Sequence, residues 1–116
     1  MILHLTQGYE AIIDEADWPR VSRRRWHVHF CRGMLPYARC SYGGWKVFLG
    51  RFLLNPPADM EVDHKNGNTL DYRRSNIEVV TPLINMQRMH ERQKLIRAGD
   101  FKVEKLTSIR QDDIPF

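Results

Sequence analysis

The chain has 116 residues, 42% hydrophobic and 28% charged, and its 18 Lys and Arg against 14 Asp and Glu give a net charge of +4 and a pI near 9.3. That length suits one compact domain with a modest core, or a small domain with an arm and a tail, and no apolar run approaches a membrane span. Cys31 and Cys40 cannot build a disulfide framework and Met1-Ile2-Leu3-His4 opens no secretory segment, so a cytoplasmic protein with reduced thiols is expected.

In chain order, Ile2 to Leu5 and Tyr9 to Ile13 read as strands flanking a turn at Gln7-Gly8. Asp14 to Ser22 reads as a helical turn capped by Asp14 or Asp17. Arg20, Arg23, Arg24 and Arg25 then form a basic cluster, either a solvated helix face or, as preferred here, a set of phosphate contacts. Trp26, Val28 and Phe30 alternate with His27, His29 and Cys31, the period of a half-buried strand. Strands at Tyr37–Tyr42 and Trp45–Leu49 follow, joined by the turn signal Gly43-Gly44. Trp26 and Trp45 are both expected in the core. Gly50 to Leu54 reads as one helical turn before Pro56-Pro57. His27, His29, Cys31 and Cys40 follow no zinc spacing, so zinc is not expected, and an exposed strand face near nucleic acid is the preferred reading of that segment.

The segment 61-EVDHKNGNTLDYRRSNIEVVTPLINMQR-88 carries the sharpest pattern. Asp63-His64 closes a short apolar run. Ile77 to Val80 reads as a strand with Asn76 at its mouth, and Thr81-Pro82 reads as a helix start, with Thr as N-cap and Pro first in the helix. Asn85 then falls in the first helical turn. A carboxylate, an imidazole and an amide are thereby directed toward one point. Asp63 and the Asn85 side-chain oxygen are hard ligands for Mg²⁺ or Mn²⁺. His64 can take a proton from water near neutrality. Asn76 can tie the loop to backbone groups and so orient His64. With one carboxylate, a one-metal site is expected.

Asp63-His64, Asn76 and Asn85 at this spacing, with Asn66-Gly67-Asn68 and Leu70-Asp71-Tyr72-Arg73-Arg74 between them, resemble the ββα-metal site of the HNH endonucleases, in particular the small phage and intron-associated branch. Leu5-Thr6-Gln7-Gly8, Ile13-Asp14 and Trp26 also look like the leader of phage HNH proteins. Where many members of that family have a His before the helix that precedes the motif, this chain has Gly50.

The resemblance implies an α+β fold: a small antiparallel β meander over residues 1–58, a ββα-metal module over 59–97 and a flexible tail over 98–116. It implies a metal-dependent phosphodiester hydrolase that nicks double-stranded DNA, leaves 5′-phosphate and 3′-hydroxyl ends, and works as a monomer or weak dimer in a host cytoplasm. His64 and Asn76 would be catalytic, Asp63 and Asn85 would hold the metal, and Arg23, Arg24, Arg25, Arg73, Arg74, Arg88 and Arg92 would contact DNA. The chain ends Asp112-Asp113-Ile114-Pro115-Phe116, which resembles the tip of bacterial single-stranded-DNA-binding proteins and implies docking to host replication or repair proteins. The alternative is a non-catalytic DNA-binding adaptor competing for those host proteins.

Overall fold

In the computed structural model, which describes residues 1–31 and 34–98, seven short strands and three α-helices form an α+β fold. The strands do not make one meander. β1 (Ile2–His4) pairs with β2 (Glu10–Ile12), β3 (His27–Cys31) with β4 (Leu35–Tyr42) and β5 (Trp45–Phe48), and β6 (Glu61–His64) with β7 (Ile77–Val80), all antiparallel. Residues 6–8 form the first turn, with Gln7 and Gly8 both at positive φ. Gly43 and Gly44, at φ 54° and 86°, make the tight turn between β4 and β5, which glycine enters without steric cost.

The expected helix over Asp14–Ser22 is a 3-10 turn at Glu15–Asp17 running into α1 (Trp18–Val21). Neither Asp14 nor Asp17 caps it. Asp14 instead accepts the backbone N–H of Arg74 (2.8 Å), and both Asp17 oxygens accept the Arg74 guanidinium (2.9 and 3.0 Å). A charged, bidentate partner outweighs a cap worth about 1 kcal/mol. α2 (Leu49–Leu54) is the turn expected after β5, and it presses closely on β6: a β-carbon on Gly50 would stand 3.0 Å from Val62 Cγ1.

β7 leads into α3 (Pro82–Ala98), whose start is as read from the sequence. The Thr81 hydroxyl accepts the backbone N–H of Ile84 (3.1 Å) and Pro82 begins the helix. None of the helices among the described residues is long and apolar enough to cross a membrane.

One apolar cluster crosses the expected boundary at 58/59, joining Leu3, Ala11, Ile13, Val21, Trp26 and Leu49 to Leu70, Tyr72 and Ile77. The loop from Lys65 to Asn76 is stitched to the N-terminal half by its backbone. Ile12 N–H donates to Leu70 O (2.8 Å), Tyr72 N–H to Ile12 O (2.7 Å), and the buried Tyr72 hydroxyl accepts Ala38 N–H (2.9 Å). Trp26 is buried as expected, with its indole N–H on Val21 O (2.8 Å). Trp45 is not: at the hairpin tip it lies beyond the last core pair, Cys40 and Val47, and is 76% exposed. Residues 99–116, including Asp112, Asp113, Ile114, Pro115 and Phe116, lie outside the described residues.

Candidate nuclease site

The register of β6 and β7 sets Asp63 opposite Glu78 and His64 opposite Ile77. Within β6, Glu61 and Asp63 share one side, against α3. Asp63, His64, Asn76 and Asn85 are all buried, an unusual state for four polar side chains unless each is bonded.

His64 is fixed from one side. Its Nδ1 lies 3.1 Å from the carbonyl oxygen of Asp71, so Nδ1 carries the proton and Nε2 keeps its lone pair. The same carbonyl accepts Asn76 Nδ2 (3.0 Å), while Asn76 Oδ1 accepts the backbone N–H of Asn66 (2.9 Å) and Asn76 O that of Lys65 (2.8 Å). Asn76 therefore closes the loop, as its position suggested. The rings of Tyr72 and Tyr37 meet the imidazole edge-on, at 4.8 and 6.1 Å between centroids. Burial pulls the His64 pKa below its ordinary 6.5, only partly offset by the Asp71 carbonyl and the charges of Asp63 and Asp71. The imidazole is thus neutral at physiological pH.

Asp71 received no role from the sequence, yet it organises the loop. Its carboxylate accepts Arg73 Nε (2.9 Å) and Nη2 (2.6 Å) and Asn66 Nδ2 (3.0 Å). Burial would raise its pKa, but these bonds more than compensate and hold it below the usual range. An Asp five residues before the motif Asn, with Arg two positions on, was the available signal for this hub.

Asp63 is neutralised by α3. Arg88 donates to Asp63 Oδ2 (2.9 Å) and also to Glu78 (2.8 Å), relieving the like charges that the strand register sets opposite each other. Arg92 donates to both Asp63 oxygens (2.9 and 3.0 Å) and to His64 O (2.9 Å). Asn85 donates from Nδ2 to Glu61 (2.6 Å), leaving Oδ1 as an acceptor. Glu61 is the other group the sequence reading passed over. Asp63, His64, Asn85, Glu61 and Arg92 border one cleft of about 380 Å³.

The arginines expected on DNA are thus largely engaged within the protein: Arg73 with Asp71, Arg74 with Asp17, Arg88 and Arg92 with Asp63. Arg24 stacks over the Tyr42 ring (3.8 Å), whereas Arg23 and Arg25 are exposed. Among the described residues, no three or more His, Cys, Asp and Glu gather to hold a metal. Cys40 faces the core side of the sheet, opposite to His27, His29 and Cys31, which removes the geometry a zinc site would need.

The donor types bordering the cleft, a carboxylate and a neutral amide oxygen, are ones an oxygen-preferring cation takes, with Asp63 already paired to the guanidinium groups of Arg88 and Arg92. A carboxylate offers about four lone-pair positions, and three hydrogen bonds from Arg88 and Arg92 leave capacity on Asp63. Asn85 Oδ1 adds a neutral hard oxygen on the same cleft.

Residues 45–87 match a family model described as HNH endonuclease. The matched span begins at β5 and includes α2, ahead of the boundary at 59 expected from the sequence. No curated protein and no solved structure matches the chain.

The His64 shift has a consequence for the metal-free protein. A histidine whose pKa is lower folded than unfolded contributes full stability above the unfolded value and loses it as pH falls through the folded one. Melting temperature should therefore drop below about pH 6.5 in wild type, and less so in His64→Asn. Parallel profiles for the two proteins, measured by thermal denaturation from pH 5 to 8, would contradict the burial of a neutral His64.

Proposed function

We propose that this chain is a metal-dependent HNH endonuclease that hydrolyses a phosphodiester of DNA, nicking one strand for each catalytic centre. The observation that carries the reading is the hold on His64: Asp71 O and Asn76 fix its tautomer, burial keeps it neutral, and it shares a cleft with Asp63 and Asn85. The match over residues 45–87 supports the same reading independently.

The chemistry follows from these groups. His64 Nε2 takes a proton from water, whose oxygen forms the new bond to phosphorus as the bond from phosphorus to the 3′-oxygen breaks. The departing oxygen takes a proton from solvent water and His64 returns its own to solvent, leaving 5′-phosphate and 3′-hydroxyl ends. The imidazolium formed transiently is stabilised by the Asp71 carbonyl and by the nearby Asp63 and Asp71 charges. Asp63 and Asn85 would hold the divalent ion, Mg²⁺ or Mn²⁺. When bound, that ion neutralises charge on the phosphate and the leaving oxygen. Arg88 and Arg92 donate to the buried Asp63 carboxylate and lie where a flanking phosphate could take up their remaining N–H groups. Arg23 and Arg25, exposed beside α1, would contact phosphates further along the duplex, and Arg73 and Arg74 would stiffen the loop that meets it.

Supercoiled plasmid tests the assignment. Wild type should convert it to the open circle only with a divalent ion, and His64→Ala should slow this by about 10²–10⁴-fold while DNA binding persists. Asn76→Ala should also lose rate, with retained metal affinity, because it loosens His64 rather than removing a ligand. His64→Ala above half of wild-type activity would defeat the assignment. Binding without cleavage in wild type would leave the DNA-binding adaptor.

The wording of residues 112–116 supports a further element. Asp112-Asp113-Ile114-Pro115-Phe116 would bind host replication or repair proteins through the pocket that takes the tip of single-stranded-DNA-binding proteins. An aromatic ring beside a conformationally restricted proline, with two carboxylates just before it, makes a compact recognition unit. A peptide of residues 107–116 should compete with an authentic tip peptide, and Phe116 deletion should abolish competition. No displacement at millimolar peptide, weaker than about −4 kcal/mol, would exclude recruitment.

A further inference from the structure

The cleft of His64 has a second wall that the hydrolytic groups leave unused. In the sheet of β3, β4 and β5, register places Val28, Ala38, Cys40 and Val47 on the core side. The opposite side presents Cys31, Leu35, Tyr37 and Phe48, and these four border the cleft. Asp63 of β6 and Asn85 and Arg92 of α3 border the same cleft. Its lining thus combines charged and hydrogen-bonding groups from β6 and α3 with apolar and aromatic groups from the three-stranded sheet.

The aromatic wall continues outward. Tyr37 lies 6.1 Å from the His64 ring, Phe48 6.1 Å from Tyr37, and His29 6.0 Å from Phe48, all edge-on. Arg39 sits 5.8 Å from the Phe48 ring centroid and reaches His29 Nε2 at 3.4 Å. A path of partly exposed rings with a guanidinium alongside thus begins at the candidate general base and leaves the cleft across the sheet.

A nucleotide has the same mixed character, phosphate at one end and a flat apolar face at the other. In a continuous duplex the bases are stacked inward, so a protein on the backbone meets phosphate and sugar. An unpaired strand can turn its bases outward onto aromatic rings, which accept any base, while basic groups follow its phosphates. Building on the nuclease reading above, we propose that the cleft receives an unstacked nucleotide beside the scissile phosphate. Its base lies against Tyr37 and Phe48, its phosphate faces Asn85 and Arg92, and the next base continues toward His29 and Arg39. The substrate class is DNA with an unpaired segment.

The test uses the full chain and three DNAs of one sequence: a single strand, a continuous duplex and a duplex with a central unpaired bubble. Anisotropy in EDTA should give at least tenfold tighter binding to the single strand and the bubble than to the duplex. With Mg²⁺, cuts should concentrate at the bubble. Phe48→Leu, which keeps apolar bulk without a ring, should shrink the preference at least threefold, and Phe48→Tyr should restore it. Equal binding to all three DNAs, or preference for the duplex, overturns the proposal. His64-dependent nicking without that preference would sink this inference alone. A preference for unpaired DNA without His64-dependent cleavage would uphold the binding surface and sink the nuclease reading.

Discussion

The carbonyl oxygen of Asp71 accepts one hydrogen bond from His64 Nδ1 and another from Asn76 Nδ2, in a part of the molecule where both donors are buried. Removing either partner would leave a buried polar group unsatisfied, at about 1–3 kcal/mol. That cost is what converts a twelve-residue polar loop into a fixed frame. The position of the carbonyl is itself set by neighbours: Leu70 and Tyr72 bond to Ile12 on either side of Asp71, and its carboxylate is tied to Arg73 and Asn66. The N-terminal half of the chain therefore acts on the site. It supplies the strand against which the loop is registered and the Asp14 and Asp17 carboxylates that anchor Arg74.

A second constraint is the burial of Asp63. A carboxylate removed from water must be paired or neutralised. Two arginines of α3 do this, and because Arg92 also bonds His64 O the pairing fixes helix to strand. The groups that would face a scissile phosphate are in this way also the groups that hold α3 on β6. Function and stability are not separable there, so substitutions at Arg92 should be read with a folding control beside any activity measurement.

Much of this was legible in the residues because local rules set it. Thr81-Pro82 specified a helix start and hence the place of Asn85. Gly43-Gly44 specified a tight turn. Asp63-His64 and Asn85 pointed by type and spacing to one cleft, and Asn76 to the loop it closes. What the sequence did not disclose depends on long-range pairing. Asp14 and Asp17 look like caps until Arg74 arrives from about sixty residues away. Arg88 and Arg92 read as phosphate contacts, and nothing local in the sequence shows that they also pair with the buried Asp63. Trp45 has the hydrophobicity of a core residue but sits where the hairpin outruns the core. Asp71 acts mainly through a backbone oxygen, which any residue possesses, so its side chain pointed only to part of its role.

The tautomer of His64 tests the central claim most directly. Nitrogen-15 NMR of the metal-free protein at pH 7.5 should show His64 neutral, with the proton on Nδ1 and Nε2 unprotonated, as the bond to Asp71 O requires. Asn76→Ala should weaken that preference. A His64 protonated on Nε2, or one still carrying both protons at that pH, would contradict the account.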